Sequence, residues 1–303
     1  MSELTKRNEY EMNHIKQLIN FYLKYGSVEE AMKRESERVF VSQASYHRIL
    51  DQFGIVKSAG RYDPFHETIS FLMRMTLEKI PHAYLYNEMP YDFENSFLNL
   101  NLVIRAVRKG LVTKTGAALV ITPEGSNNSV LIGEEISSRS AYKKKVGDMT
   151  VPMGFAKQGE PLYFSLLRLL QQEVSNPLAV NGQLAPYGEI AQRIIEHEPN
   201  PFMYLDIADV RVAVCHLVLP EELCNANIIS SHRLLNHRFM SGSTIAGNSD
   251  NPRIRAGIPE IMETFVQTEG RPVFAPPVRI SRLNNNLSRF PVKPNSLKWT
   301  TVI

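Results

Sequence analysis

The chain has 303 residues, of which 43% are hydrophobic and 21% charged, and its formal net charge is +3. That length holds two domains, or one large domain with appendages, around a substantial core, and so small a charge excludes nothing by itself except a strongly basic nucleic-acid binder. No apolar run reaches membrane-spanning length, the N-terminus MSELTKRNEYE is polar, and Cys215 and Cys224 are too few for a disulfide framework. A cytoplasmic protein with no membrane partner is expected.

The first element is a helix over residues 8 to 25, where Met12, Ile15, Leu18, Ile19, Tyr22 and Leu23 recur at steps of three and four. Gly26 ends it, and Ser27 caps a second helix whose first turn holds Glu29 and Glu30. A third helix opens at Ser42 in VSQASYHRILDQFGI, turns Ile49 and Leu50 inward and stops at Gly54. Three short helices in this order outline a helix-turn-helix domain over residues 1–62. The third helix resembles the recognition helix of bacterial helix-turn-helix regulators and recombinases. That resemblance implies DNA as a partner, with Gln43, Ala44 and Arg48 toward base edges and Ser45 and His47 toward phosphates; Lys57 and Arg61 are candidates for flanking phosphates. Such regulators often dimerise to read two half-sites, which makes a homodimer one expected arrangement, although no heptad seam marks it here.

Residues 63–112 form a further helical region. FHETISFLMRMTLEKI is amphipathic and broken at Pro81, and FLNLNLVIRAVRKG follows Ser96. The spacing fits either a second helix-turn-helix or a linker helix packed on the next domain.

From Thr113 the pattern changes to strands. GAALVITPEG and SVLIGEE read as a strand pair, and DMTVPMGF as another extended segment. Leu162, Leu166, Leu167, Leu170 and Val174 then share one helix face. VRVAVCHLVL is a buried strand, and GIPEIMETFVQTE is a closing helix with Pro near its start. Strands, helix, strand and helix in that order predict a mixed sheet sandwiched by helices over residues 113–275. The expected fold class is therefore α/β (α+β): an all-helical N-terminal region followed by an α/β/α sandwich. From 276 to 303 there are five basic residues and no acidic ones in a Pro- and Asn-rich segment, which reads as a basic extended tail.

Within the second domain, GFAKQGEPLYFSLLRLLQQEVS carries Gly154, Glu160, Arg168, Leu170 and Glu173. The spacing resembles the Nudix box: Gly, five residues, Glu, seven residues, Arg-Glu, a hydrophobe, any residue, Glu-Glu, any residue, Gly. Leu169 and Gln172 stand where two glutamates belong, and Ser175 replaces the last glycine. Resemblance to this family, which hydrolyses nucleoside diphosphates linked to other groups, implies a Nudix-like fold and a pocket for a nucleotide-like small molecule. Its ligand-binding residues would be Gly154, Glu160, Arg168, Gln172 and Glu173. Positions 169, 172 and 173 share a helix face, and in active members that face gives three carboxylates to Mg²⁺. Here Glu173 alone remains as a weak metal candidate, so no cofactor is expected unless some hydrolysis persists with Mg²⁺. Glu160 and Glu173 are then the candidate catalytic carboxylates, with Asp206 as a further source of charge.

His197 fits a helix end and the turn after it, while His232 and His237 lack the spacing of a helical zinc pair and, with Arg233 and Arg238 beside them, read as a basic surface or ligand-facing loop. Asp206 and Asp209 precede a strand and either line the pocket or cap a turn. Some bacterial regulators join a Nudix-like sensing domain to a winged helix, and this chain is similar in parts, with its helix-turn-helix placed first. The expected function is a DNA-binding transcriptional regulator whose Nudix-like domain senses a ligand. The alternative is a Nudix-type hydrolase with a reorganised metal site.

Overall fold

The computed structural model describes residues 3–58, 105–106, 109–110, 112, 114–126, 128–139 and 142–287. Arg61, most of the helical region 63–112 and residues 288–303 lie outside the described residues. Helix α1 runs Glu3–Tyr25, α2 Val28–Arg34 and α3 Gln43–Gln52. The predicted caps are in place: the Ser27 hydroxyl accepts from Glu30 N at 3.1 Å, and Ser42 accepts from Ser45 N at 3.2 Å. Leu18, Ile19, Tyr22, Tyr46 and Leu50 make a closed apolar centre, and the Tyr46 hydroxyl donates to Leu18 O at 2.5 Å. Ala179 from the second part of the chain completes that centre, so the helical unit is packed on the rest.

Strand β1 is Lys114–Pro123, β2 Ser129–Glu135, β3 Met149–Thr150, β4 Met153–Phe155, β5 Met203–Ile207, β6 Val210–Leu219, β7 Leu234–Ser241 and β8 Val278–Ile280. Five of them form a mixed sheet in the order β4-β1-β6-β5-β8, and three form an antiparallel sheet in the order β3-β2-β7. β1 runs antiparallel to β4 and parallel to β6, from Lys114 opposite Val210 to Pro123 opposite Leu219. Its two faces go to different cores. Ala117, Leu119 and Ile121 meet Leu166, Leu167 and Leu170, while Ala118 and Val120 meet Ile261, Met262 and Phe265. A strand covered on both sides must be apolar throughout, which is why its sequence shows no alternation.

Helix α4, Leu162–Leu169, covers the first face, followed by a wide π turn over Leu170–Val174 and α5, Asn176–Val180. Helix α6 is Glu189–Ile194 and α7 is Gly242–Gly247. Helix α8, Ile258–Thr268, covers the second face and starts with the expected Pro259. The sheet with helices on both faces is the predicted α/β architecture. β1 and β2 correct one expectation, because they are strands but not a pair. Each takes its hydrogen bonds in a different sheet, since β1 is a central strand whose neighbours β4 and β6 already fill both edges.

The stretch predicted as an extended tail also begins with structure. β8 adds in parallel to β5, and α9, Arg282–Leu287, follows. Its anchor is local: Asn284 accepts from Ala208 N at 2.6 Å and donates to Ala208 O at 3.0 Å. Ala208 lies in the two-residue turn joining β5 to β6 with φ of 54°, a left-handed conformation unfavourable for alanine. A buried side-chain amide that satisfies both backbone groups holds that turn closed.

Candidate functional site

Gly154, Arg168, Gln172 and Glu173 line one cavity, and Glu160, which is not part of that lining, pairs with Arg168. Strand β4 brings Gly154 opposite Ala117 of β1, and a Cβ added at Gly154 would stand 3.1 Å from the Leu169 side chain. The chain then loops to Glu160 and enters α4 at Pro161. Glu160 and Arg168 are almost wholly enclosed and form a two-pronged ion pair at 2.6 and 2.5 Å. Ser165 and Lys157 N also donate to Glu160, and Arg168 reaches Phe155 O at 3.0 Å. Burial works against ionisation of Glu160, but the hydrogen bonds from Arg168 and Ser165 outweigh it and hold the carboxyl below its usual range. This pair ties β4, the loop and α4 together. Glu160 Oε2 takes three of these four hydrogen bonds and Oε1 takes one.

After Leu169 the helix widens. Ser175 N donates to Leu170 O at 2.8 Å, five residues back, and Asn176 Nδ2 takes Gln171 O at 2.7 Å. Pro177 has no N–H to offer Glu173 O, and His237 Nε2 lies 2.9 Å from that carbonyl instead. The sequence predicted an ordinary helix through this point. The wide turn sends Gln171 toward the N-terminal helical unit and leaves Leu169, Gln172 and Glu173 on the wall of an open cavity of about 220 Å³.

That cavity has a definite chemical character. Arg139, Lys144, Arg233 and Arg255 are among its lining, Tyr142 and Phe155 supply aromatic surface, and Ile207, Val210 and Val212 form an apolar wall. The Tyr142 and Phe155 rings meet edge to face at 5.8 Å, with the Arg139 guanidinium 5.7 and 5.3 Å from their centroids. Beneath the wall, buried Glu135 is shared by Lys144 at 2.5 Å and Arg255 at 2.7 Å. Glu173 is half-buried and accepts Met153 N at 2.7 Å. Burial first, and the nearby Glu135 carboxylate second, push its pKa above the ordinary carboxylate value. Five cationic side chains, Arg139, Lys144, Arg168, Arg233 and Arg255, and one carboxyl, Glu173, line the cavity.

A divalent metal does not fit these residues. Leu169 has no ligand atom. Gln172 uses its Oε1 for Ser58 Oγ at 3.1 Å and its Nε2 for Val56 O at 3.0 Å, and Glu173 is held toward its neutral form. Among the described residues no cluster of three or more His, Cys, Asp or Glu is arranged to hold an ion. The other carboxylate that a reorganised site would recruit stands elsewhere: Asp206 is paired across the β5–β6 hairpin with Arg211, at 2.9 Å to each oxygen. Asp209 is buried in the turn, with its carbonyl accepting Lys114 N.

Of the predicted DNA-facing residues, Gln43, Ala44 and Arg48 are exposed on α3, while Ser45 and His47 are half-buried. Gln43 is engaged with Glu29 at 2.7 Å and Lys57 with Asp51 at 2.9 Å. Residues 3–58 contain nine basic and eight acidic residues, so the unit has no strong basic field. His197 is exposed and stacks near Tyr187, His232 lies 2.8 Å from Asn20 Oδ1, and none of the three histidines noted in the sequence lines the cavity. The sequence reading had not singled out Arg139, Tyr142, Lys144 or Arg255, and had noted Arg233 only within a stretch read as a basic surface or ligand-facing loop. The run RSAYKKK was the available signal for three of them; Arg233 and Arg255 come from loops that only the fold brings near.

No protein-family model matches the sequence, and no curated protein matches it. Among solved structures, about half of the chain is similar to Nudix hydrolases. An Ap4A hydrolase from C. elegans is similar over 51% of this chain and 96% of its own, with 14% identity and a TM-score of 0.34. A mutT/nudix family protein from Listeria innocua matches over 52% and 94%, with 11% identity and a TM-score of 0.33. The dihydroneopterin triphosphate pyrophosphohydrolase of E. coli matches over 52% and 99%, with 15% identity and a TM-score of 0.33. Among the described residues no helix is long and apolar enough to cross a membrane.

Proposed function

We propose that the cavity binds a phosphorylated, nucleotide-like small molecule and holds it without metal-assisted cleavage. The single observation behind this reading is the lining itself: cations and two aromatic rings surround a space whose metal-facing positions carry Leu169 and Gln172. Phosphate oxygens suit Arg233, Lys144 and Arg255, and a planar ring suits the Tyr142–Phe155 corner. Calorimetric titration with ADP and with inorganic pyrophosphate tests it. Binding that weakens at least about tenfold in Arg233→Ala, with no phosphate release in Mg²⁺ or Mn²⁺, is the expected result, corresponding to about 1.4 kcal/mol. Failure of both probes to bind overturns the reading.

A hydrolase is the second reading, and Glu173 is the observation that favours it. A half-buried carboxyl of raised pKa on a pocket wall is the kind of group that moves protons in catalysis. Phosphate release that disappears in Glu173→Gln would put this reading first.

The helical unit supplies the regulatory half of the proposal. The exposed face of α3 presents Gln43, Ala44 and Arg48, with Ser45, His47 and Lys57 beside it, as the face for DNA. With charge so nearly balanced, contact has to depend on these few side chains rather than on a basic field. Anisotropy binding to genomic fragments should be lost in Gln43→Ala and Arg48→Ala together. Equal binding by that double variant removes the assignment.

A further inference from the structure

Residues 54–58, which leave α3, run along the wide turn after α4 and are gripped by its side chains. Gln171 accepts Val56 N at 2.8 Å and donates to Gly54 O and to Leu184 O, both at 2.7 Å. Gln172 donates to Val56 O and accepts the Ser58 hydroxyl, and Arg168 donates to Lys57 O at 3.2 Å. On its other side the segment is tied to α1, where Ser58 N donates to the Tyr22 hydroxyl at 2.8 Å. Each glutamine thus uses a donor and an acceptor on the same stretch of backbone. A carboxylate only accepts, and would face the Gly54 and Val56 carbonyls with like partial charge. Glutamine at position 172 is therefore more than a lost metal ligand: it has acquired a partner that glutamate cannot hold.

Arg233 connects this grip to the cavity. It lines the cavity, and its Nη2 lies 3.4 Å from Ser58 Oγ. The same guanidinium rests on the α1–α2 turn, where a Cβ at Gly26 would stand 2.4 Å from it; Gly26 also has φ of 76°. One side chain touches the segment, the turn between two helices and the open cavity.

We propose that residues 54–58 are a strap that docks the N-terminal helical unit on the cavity through Gln171 and Gln172, and that an anion in the cavity loosens it by drawing Arg233 away. Docking stands on the strap contacts alone, while loosening by an anion rests on the cavity reading above. The coupling is regulatory, since whatever fills the cavity alters the seating of α1–α3, and the seating alters affinity in return.

Hydrogen exchange of the full chain, followed by mass spectrometry, tests both halves. In Gln172→Glu, and separately in Gln171→Glu, peptides covering residues 54–58 should exchange at least about tenfold faster while β1 and β6 peptides stay as in the wild type. Unchanged exchange at the segment in both variants overturns docking by the carboxamides. Inorganic pyrophosphate added to the wild type should speed exchange at the same segment. Pyrophosphate that binds by calorimetry but leaves the segment unchanged overturns the coupling. Pyrophosphate that fails to bind overturns loosening together with the cavity reading, and the two glutamate variants then decide docking separately.

Discussion

Glu173 and Arg168 are five residues apart and face opposite fates. Because Glu173 has its pKa raised in the folded state, it binds its proton more tightly there than in the unfolded chain. Its favourable contribution is complete below the unfolded carboxylate range and is lost as pH rises through the folded value. Glu173→Gln should accordingly raise the melting temperature at pH 8, with the gain vanishing toward pH 4, as followed by thermal denaturation across pH. A gain that is the same at both ends would refute the assignment. Arg168 is the opposite case, since its removal strands the enclosed Glu160 carboxylate. Arg168→Met should destabilise by about 3–5 kcal/mol in urea unfolding. Arg168→Lys should fall short of rescue, because an ammonium cannot reproduce the two-pronged contact. At this scale the sequence was informative about what was missing. Leu169 and Gln172 showed the loss of negative charge by residue type alone. The partner that Gln172 gained was not legible, because it lies 114 to 116 positions away in the chain.

The elements that packing dictates were the ones their pattern revealed. α1, α3, β1, β6 and α8 all carry continuous or periodic apolar faces, and the serine caps of α2 and α3 follow local rules. Pairing was harder, because β1 and β2 adjoin in sequence yet belong to different sheets. The wide turn at 170–174 was also hidden: it depends on Pro177 withholding an N–H and on Asn176 and His237 taking up the freed carbonyls. α9 was mistaken for part of a tail because its role is a polar one. A single amide at Asn284 clamps the strained Ala208 turn, and no apolar periodicity announces that. Asn284→Ala should cost about 2–4 kcal/mol by leaving two buried backbone groups unpaired, measured as a lower urea midpoint. Ala208→Gly in the same background should recover part of the loss, about 1 kcal/mol, by removing the left-handed penalty.

For the molecule as a whole, a ligand that binds the native state alone adds to its stability. ADP at a hundred times its dissociation constant should raise the unfolding free energy by about 2.7 kcal/mol, read from urea curves with and without the nucleotide. Added salt should shrink the effect, because cavity cations rather than apolar area carry the attraction. The parallel join of β1 to β6 reaches further than binding. β1 has seven consecutive enclosed residues, and its partner is made roughly ninety positions later. At ordinary translation speeds of about 5–20 residues per second, an oily ribbon waits roughly 5 to 20 seconds on the ribosome with one edge unclaimed. Whatever shelters that nascent ribbon governs how much of the protein a cell obtains, quite apart from how firmly the finished molecule holds together.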